Sequence, residues 1–375
     1  MSDLEPADGP TPDQPACPAC GRPIDPAAWF CEACGSPLVP TAPPPPPPAP
    51  AADAPSTQTR RLGVRASQVA SCASCGGTIG ADGYCQTCGA KAPSPRDHYT
   101  DSPADWVGGV CDRSLQHHRN EDAMALWAGD DRAVLVVCDG VSTSVDSDVA
   151  SQAAAERARD VLAALASAGG VPTGDDWARA LVEATESANR AVVETTAPDS
   201  TNAASATLAA AVVVGDTVHF ANLGDSRVYL LGADERVLLS VDDSMAQAFI
   251  AEGMPRAEAE ALPRAHAITK WLGRDAPDIV PRTGSRRVTA PGWLLVCSDG
   301  LWNYASTPDE LARQLDDAAA GGGGPAAVAQ RLLEWANSRG GQDNVTVALA
   351  RVPAPAVSLG AAPTEPQNGA HREHG

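Results

Sequence analysis

Five short acidic motifs, widely separated along the chain, constrain this sequence more than any other feature. They are Arg119-Asn120-Glu121-Asp122, Val137-Cys138-Asp139-Gly140, Gly224-Asp225-Ser226-Arg227, Cys297-Ser298-Asp299-Gly300 and Gly341-Gln342-Asp343-Asn344. Two of the carboxylates directly follow apolar, strand-like runs, since 133–137 leads to Asp139 and 293–296 leads to Asp299. A carboxylate at the mouth of a strand points into a cleft. A fold that collects these motifs must therefore offset the repulsion among their charges.

A divalent cation bound among these carboxylates would supply that compensation. Clusters of oxygen ligands are the environment that Mg²⁺ and Mn²⁺ prefer. Any single Asp-Gly pair is more simply interpreted as the cap of a turn or a helix. The occurrence of five acidic motifs in one chain favours a shared site, so the sequence predicts a metal-dependent hydrolase.

Composition and charge exclude several kinds of partner. The chain has 375 residues, and its 47 acidic against 27 basic side chains give a net charge of −20. Such a chain should bind neither nucleic acid nor an anionic membrane through bulk electrostatics. No apolar stretch reaches the roughly 18 residues that a transmembrane helix needs, and the acidic N-terminus lacks the apolar run of a signal peptide. We therefore expect a cytoplasmic protein.

Eight of the eleven cysteines form four Cys-x-x-Cys pairs before residue 90. These cysteines are Cys17, Cys20, Cys31 and Cys34, followed by Cys72, Cys75, Cys85 and Cys88. Four thiolates in two knuckles make a tetrahedral Zn²⁺ site, so we predict zinc ribbons at 17–38 and 72–90, with one Zn²⁺ in each. Disulfides or an iron site of the rubredoxin type are the alternatives, and the lack of an export signal disfavours disulfides. The sparse basic surface of both ribbons favours a structural or protein-docking role.

The rest of the chain divides by composition. We predict a disordered lead at 1–16, a proline-rich linker at 39–71, a second linker at 91–103, a catalytic domain at 104–352 and a disordered tail at 353–375. The proline run 43–48 should form an extended polyproline II spacer.

Within 104–352, apolar runs of strand character alternate with longer helical segments. Strands are predicted at 134–138, 207–214, 217–222, 228–231, 294–297 and 345–350. Helices are predicted at 148–166, 175–195, 244–252, 256–261, 308–315 and 325–338, and Asp148 and Asp175 are placed to cap the two long ones. Short Gly/Asp turns between consecutive strands predict antiparallel sheets, one of them covered by the two long helices.

The order and spacing of the acidic motifs resemble those of the metal-dependent protein phosphatases (PPM family, type 2C Ser/Thr phosphatases) of bacterial type, over roughly residues 104–352. The resemblance implies an α+β fold: a four-layer αββα sandwich of two antiparallel sheets flanked by helices, here preceded by two small zinc ribbons. It also implies hydrolysis of phosphoserine and phosphothreonine by a metal-activated water at a two-metal carboxylate site. Phosphorylated proteins would be the partners, such as Ser/Thr kinases or their substrates.

The resemblance further implies the ligands of the first metal ion. Asp139 would bridge two Mn²⁺ or Mg²⁺ ions, and the backbone carbonyl of Gly140 would bind one of them. Asp299 and Asp343 would complete the shell of the first ion.

Other acids would serve the remaining ions. Glu121 and Asp122 would act on the second ion, directly or through ordered waters. Asp225 matches the residue that many family members use, together with Asp299, for a third and weaker ion. Asp242 and Asp243 stand where many relatives carry Asp-His, and we expect one of them to cap the helix after Ser244.

The chain departs from the family pattern where the substrate phosphate would bind. Relatives usually carry an Arg five residues before the position of Asp122, and here that position is His117. A histidine lacks the bidentate fork of a guanidinium. Arg119 would share the face of His117 on a strand, so we assign phosphate binding to His117 or Arg119.

A second departure removes a proton donor. Val141-Ser142-Thr143-Ser144 replaces the Met-Gly-Gly-His that follows Asp-Gly in bacterial relatives, so bound water is expected to protonate the leaving group. The metal carboxylates are intact, which favours an active phosphatase. The alternative is a catalytically weak or silent phosphoprotein-binding scaffold with zinc-ribbon docking modules. The net charge disfavours a third interpretation, a zinc-ribbon nucleic-acid factor.

Overall fold

The computed structural model describes residues 71–72, 75–80, 84–89, 92 and 94–353. The predicted first zinc ribbon at 17–38 lies outside these residues, as do the predicted lead and nearly all of the tail and of the proline-rich linker. Among the described helices, none combines the length and the apolar character needed to cross a bilayer.

Thirteen strands are found in the described part of the chain. They are β1 (His98–Ala104), β2 (Val107–Asp112), β3 (Asp122–Ala128), β4 (Arg132–Asp139), β5 (Ser205–Ala206), β6 (Leu208–Val214), β7 (Thr217–Leu223), β8 (Arg227–Gly232), β9 (Arg236–Leu238), β10 (Leu272–Gly273), β11 (Arg282–Arg287), β12 (Gly292–Cys297) and β13 (Val345–Val352). One sheet has the order β1-β2-β13-β12-β8-β9, another has the order β11-β7-β6-β4-β3, and β10 pairs with β5. Neighbouring strands in both large sheets are antiparallel, as predicted.

Seven helices accompany these strands in the described residues. They are α1 (Ser147–Ser167), α2 (Gly174–Thr195), α3 (Met245–Ala251), α4 (Arg256–Glu260), α5 (Asp299–Trp302), α6 (Pro308–Ala320) and α7 (Pro325–Ser338). Buried residues of α1 and α2 form one hydrophobic cluster with the five-stranded sheet, and those of α6 and α7 form another with the six-stranded sheet. A third cluster joins the inner faces of the two sheets. The predicted four-layer αββα sandwich is confirmed.

Strand β4 shows how the sequence specifies these layers. Successive side chains of a strand point to opposite faces, so Val134 and Val136 pack against α1 and α2 while Leu135 and Val137 face the other sheet. Both faces are buried, which explains why the run is continuously apolar rather than alternating.

The helix caps differ from the prediction. Thr173 caps α2 and forms a reciprocal capping box with Asp176, while Asp175 lies inside the helix. The residue before α1 is Asp146, and its side chain makes no capping hydrogen bond. Ser244 itself caps α3 by accepting from the backbone of the third residue after it.

The six-stranded sheet begins before the predicted domain boundary at 104. Strand β1 falls largely within the predicted linker 91–103 and pairs with β2. Most of its side chains are exposed at the edge of the sheet, so the segment lacks the apolar periodicity by which strands are recognised.

Truncation of the inter-sheet core should destabilise the domain. Leu135 is fully buried between the sheets, so Leu135→Ala should lower the free energy of unfolding by about 2–5 kcal/mol. Val171→Ala is the control, because this side chain is 85% exposed and its loss should cost less than about 0.5 kcal/mol. Urea unfolding followed by circular dichroism compares them; equal midpoints would contradict the assigned core.

Candidate active site

The carboxylates of the acidic motifs gather where strands of both sheets end. Asp122 begins β3 and Asp139 ends β4, and the two residues are direct partners across this antiparallel pair. Asp299 opens α5 immediately after β12, while Asp343 lies two residues before β13, the neighbour of β12. Asp225 occupies the turn between β7 and β8. Sheet register thus brings together groups that are remote in sequence.

Asp139 experiences the charge of the whole group. Burial raises the pKa of its carboxyl well above the usual range, and the charges of Asp122, Asp299, Asp343 and Asp225 raise the pKa further. A protonated carboxyl is one way to relieve this repulsion, and a bound cation is another. The electrostatics therefore favour a positively charged ligand at Asp139.

Asp122 is held by two hydroxyl groups that the sequence analysis did not single out. Ser298 Oγ and Thr346 Oγ1 each donate to Asp122 Oδ2 at 2.7 Å. Burial raises the pKa of Asp122 to about 7, and the charges of Asp343 and Asp299 act in the same direction. Ser298 lies inside an acidic motif, so its role had a sequence signal, whereas Thr346 within β13 had none.

One carboxylate oxygen of Asp299 accepts no hydrogen bond from the described residues. Oδ2 accepts from Asn303 Nδ2 at 3.0 Å, but Oδ1 is buried and has no hydrogen-bond partner among the described residues. A buried carboxylate oxygen without a partner is costly. Since this residue also interacts with the carboxyl of Asp139, the pair presents acceptor atoms that fit a divalent cation.

Glu121 is kept ionised by its neighbours. Arg119 donates to Glu121 Oε1 through Nη2 at 2.6 Å and Nε at 2.9 Å, and Ser147 donates to the same oxygen. Ser142 Oγ donates to Oε2 at 2.7 Å. Burial by itself raises the pKa of Glu121, but the hydrogen bonds from Ser147, Ser142 and Arg119 outweigh it and lower the pKa.

The two Asp-Gly motifs need glycine because backbone segments approach closely. A Cβ on Gly300 would lie 1.9 Å from the carbonyl oxygen of Asn344. A Cβ on Gly140 would lie 2.6 Å from the carbonyl oxygen of Ser147 and 2.7 Å from that of Glu121. The glycines therefore allow the loops of the site to pack against one another.

Asn344 ties these loops together through its side chain. Its Oδ1 accepts from the backbone N–H of Glu121 at 2.7 Å. Its Nδ2 donates to the carbonyl oxygens of Arg113 and Arg119, at 2.8 and 3.2 Å. Asn344 therefore holds the backbone around the site.

His117 and Arg119 occupy different places in the site. His117 Nε2 lies 3.2 Å from Asp343 Oδ1, and its Nδ1 lies 3.8 Å from Glu121 Oε2. The guanidinium of Arg119 is bound to Glu121 and lies 3.6 Å from Asp148. His117 thus lies beside the predicted metal ligands Asp343 and Glu121, while Arg119 is hydrogen-bonded to Glu121 through two of its nitrogens.

Asp242 and Asp243 each form an ion pair with an arginine, and only the pair of Asp242 with Arg227 is buried on both sides. Arg227, only 1% exposed, binds Asp242 through Nε and Nη2, the latter at 2.6 Å. Asp243 instead pairs with Arg282 at 3.1 Å. The prediction that Asp242 or Asp243 caps the helix was wrong, because both carboxylates are used in these pairs.

The second predicted zinc ribbon brings its four cysteines together. The ligand atoms of Cys72, Cys75, Cys85 and Cys88 all lie within 4.8 Å of one another, which is close enough to hold one ion. Elsewhere in the described residues, no group of three or more Cys, His, Asp or Glu side chains is that compact. The carboxylates around Asp139 are therefore spread more widely than a single closed metal shell.

The protein phosphatase 2C family model matches residues 114–336, and a double zinc ribbon model matches residues 17–89. The chain belongs to the protein phosphatase 2C family. Its N-terminal match contains both predicted ribbons, of which only the second lies within the described residues.

Bacterial proteins are similar to this chain over about two thirds of its length. It is 32% identical over 245 residues to the serine/threonine protein phosphatase PstP of Mycobacterium tuberculosis, covering 64% of this chain and 44% of that protein. It is 29% identical over 243 residues to the serine/threonine phosphatase stp of Listeria welshimeri, covering 64% and 92% respectively. The match thus spans less than half the length of PstP.

Solved structures of the family have the same fold. The crystal structure of PstP/Ppp from M. tuberculosis matches with a TM-score of 0.53 and 28% identity, over 68% of this chain and 97% of that one. The phosphatase MsPP from Mycobacterium smegmatis, solved in complex with cacodylate, gives a TM-score of 0.52 and 28% identity, over 65% and 97%. These matches agree with the sandwich described above.

Closing the space beside Gly300 should damage the site. Gly300→Ala forces Cβ against the carbonyl of Asn344 and should lower the melting temperature by about 4 °C or more, since overpacking costs about 1–3 kcal/mol. Gly169→Ala has no atom within 4 Å of the new Cβ and should leave the melting temperature unchanged. Differential scanning calorimetry of both variants makes the comparison; equal transitions would show that the loops are not closely packed.

The double zinc ribbon match predicts two Zn²⁺ ions per chain, one for each group of four cysteines. Cys85→Ser should reduce the zinc content to one, because three thiolates and a hydroxyl hold Zn²⁺ poorly. Cys138→Ser is the control, since this cysteine lies in strand β4 of the catalytic domain. Elemental analysis of purified protein measures the ratio, and an unchanged ratio in Cys85→Ser would exclude this site.

Proposed function

We propose that this chain is a metal-dependent protein phosphatase that hydrolyses phosphoserine and phosphothreonine on proteins at a two-metal carboxylate site. The observation that carries the proposal is the buried Oδ1 of Asp299, which has no hydrogen-bond partner among the described residues, in a residue that interacts with the carboxyl of Asp139. Family membership supports the same activity, as do the relatives named as serine/threonine phosphatases.

We assign the metal ligands from the family resemblance and from the donor set. Asp139 would serve two ions, with Asp299, Asp343 and the carbonyl of Gly140 at the first. Mn²⁺ or Mg²⁺ bound there would neutralise charge at phosphorus and activate the attacking water.

The remaining acids would complete the site. Glu121 and Asp122 would serve the second ion, directly or through water. Asp225 would join Asp299 at a third and weaker one. The hydroxyls on Asp122 and the guanidinium on Glu121 fix the orientation of these carboxylates before any ion binds.

Side chains near the metal-binding carboxylates would contact the phosphate and the leaving group of the substrate. His117, beside Asp343, would donate a hydrogen bond to the substrate phosphate, a task for which Arg119 is less free because Glu121 occupies it. Ser142 and Ser144 donate to Glu121 and to a backbone carbonyl. Neither seryl group is an acid, so protonation of the leaving alkoxide falls to solvent.

The cysteines of the catalytic domain do not act as nucleophiles in this proposal. Cys111, Cys138 and Cys297 are fully buried. Burial raises the pKa of Cys111 to about 12 and raises those of Cys138 and Cys297 as well. A thiol without thiolate character is a poor nucleophile, which favours direct attack by water without a covalent phosphoenzyme.

The N-terminal part would bring the phosphatase to its partners. We propose that the ribbons at 17–38 and 72–90 dock a phosphorylated protein in the cytoplasm, such as a Ser/Thr kinase or its substrate, and that the linker 39–71 spaces them. The acidic net charge supports a protein partner over a nucleic acid.

A catalytically weak or silent phosphoprotein-binding scaffold is the second candidate. One observation favours it: a histidine at 117 replaces the arginine fork usual in relatives, and its ring nitrogens face the carboxylates of Asp343 and Glu121. Such a protein would bind phosphorylated partners without releasing phosphate.

Phosphate release from a phosphothreonine peptide tests the proposal. Wild type should release phosphate only with Mn²⁺ or Mg²⁺, and Asp139→Asn should lower kcat/KM by roughly a hundredfold or more, because a bridging ligand is lost. Asp130→Asn, an exposed aspartate in the turn before β4, should retain wild-type activity.

The scaffold makes the opposite prediction. Folded, zinc-loaded wild type would then release no phosphate from several peptides with any divalent ion tested. Recovery of turnover in His117→Arg would locate the lost activity at the phosphate contact.

A further inference from the structure

A cavity of about 450 Å³ opens beside the candidate metal centre. Asp343 and Gly300 belong to its lining, so the cavity is continuous with the predicted ligands. Glu260 and His266, at the end of α4 and in the segment after it, form one wall. This volume lies within the range usual for ligand pockets. It is large enough for a single long side chain.

The lining offers hydrogen-bond acceptors and flat rings. Carboxylate, amide and phenol oxygens come from Glu260, Asn303, Gln342 and Tyr304. No Lys or Arg is among the lining residues. Such a surface has several acceptors for a cationic donor, and the guanidinium groups of Arg227 and Arg256 that reach this wall are paired with Glu260.

Glu260 is fixed and charged in this wall. Its Oε1 accepts from Arg256 at 2.8 Å and lies 3.4 Å from Arg227, while its Oε2 accepts from the hydroxyl of Ser306 at 2.9 Å. Burial raises the pKa of Glu260, but the hydrogen bonds from Arg256 and Ser306 outweigh it and lower the pKa. Both arginines are engaged through Oε1, so Oε2 has only a neutral donor and can accept a second.

The aromatic groups are held in place by their own contacts. Arg227 lies over the ring of Trp302, 3.5 Å from its centroid, and the ring of His266 lies 5.7 Å from it, so the indole already has two partners. Tyr304 packs edge-on against Trp335, with centroids 6.3 Å apart. The fixed ring of Tyr304, together with the carboxylate and amide oxygens of the lining, suits a guanidinium, which is planar, weakly hydrated and able to form several hydrogen bonds at once.

We propose that this cavity is a specificity subsite for a basic side chain of the substrate, Arg in preference to Lys, close in sequence to the phosphorylated residue. The proposal rests on the phosphatase function proposed above and adds a sequence preference to it. Residues of an extended peptide follow one another at about 3.3 Å. Because Asp343 is both a predicted metal ligand and part of the lining, a phosphate bound at that metal site would leave neighbouring side chains within reach of the cavity.

A set of phosphothreonine peptides tests the preference. Members differ at one position, which carries Arg, Lys, Ala or Glu and is moved in turn along either side of the phosphothreonine. With Mn²⁺ present, Arg at the preferred position should raise kcat/KM about tenfold over Ala, the size expected for hydrogen bonds to a charged group, and Glu should lower it. p-Nitrophenyl phosphate, which has no flanking residue, reports the chemistry alone.

Two variants and one control locate the preference. Glu260→Gln should reduce the Arg-over-Ala ratio about threefold or more, and Gln342→Lys should abolish it by placing a cation in the lining. Glu258→Gln removes the same charge from the same helix at an exposed position outside the lining. This control should keep the wild-type ratio, and the melting temperature of each variant checks its folding.

The outcomes separate the subsite from the activity. Equal kcat/KM for all peptides, with normal p-nitrophenyl phosphate turnover, would overturn the subsite and leave the phosphatase. If nothing is turned over, fluorescence anisotropy with labelled forms of the same peptides decides. Tighter binding of the Arg peptide that is lost in Gln342→Lys would support the subsite and contradict the phosphatase, whereas equal binding would overturn the subsite as well.

Discussion

Repulsion among buried carboxylates is the constraint on which the architecture of this protein depends. Asp122 and Asp139 face each other across two paired strands, and Asp299 and Asp343 arrive from the other sheet. The charges of Asp122, Asp299 and Asp343 all raise the pKa of Asp139. Groups that repel one another stay together only if a rigid frame holds them, and two packed sheets with helices on their outer faces supply that frame.

The carboxylates around this centre differ in how far the charges and hydroxyl groups of the protein offset their own charge. Glu121, at one side, is matched by Arg119 and two hydroxyls. Asp139 and Asp299, at the middle, form no ion pair within 4 Å among the described residues, although the more distant charge of Arg227 lowers the pKa of Asp299. The protein thus neutralises the periphery with its own groups and leaves the centre for a cation, which agrees with the proposed chemistry.

The sequence predicted the layers, the central strands and the acidic residues because these carry strong local signals. The apolar run of β4 and the periodic helices α1 and α2 are examples. It missed β1 and β11, whose exposed edge positions lack apolar periodicity. It also missed the buried strands β2 and β3 and the short strands β5, β9 and β10, and it misassigned Asp242. The partner of Asp242 is Arg227, and that ion pair depends on tertiary packing. Likewise, no local pattern marks Thr346 as the hydroxyl that orients Asp122.

Asn344 has a consequence for how such a protein can change over evolutionary time. Its side chain bonds to the backbone at Glu121, Arg113 and Arg119, and its own carbonyl leaves room for nothing larger than glycine at 300. The substitutions that one of these loops can accept therefore depend on the other loops, although they are far apart in the sequence. A lineage that altered the His117 segment to suit a new substrate would have to preserve this junction or rebuild several loops simultaneously.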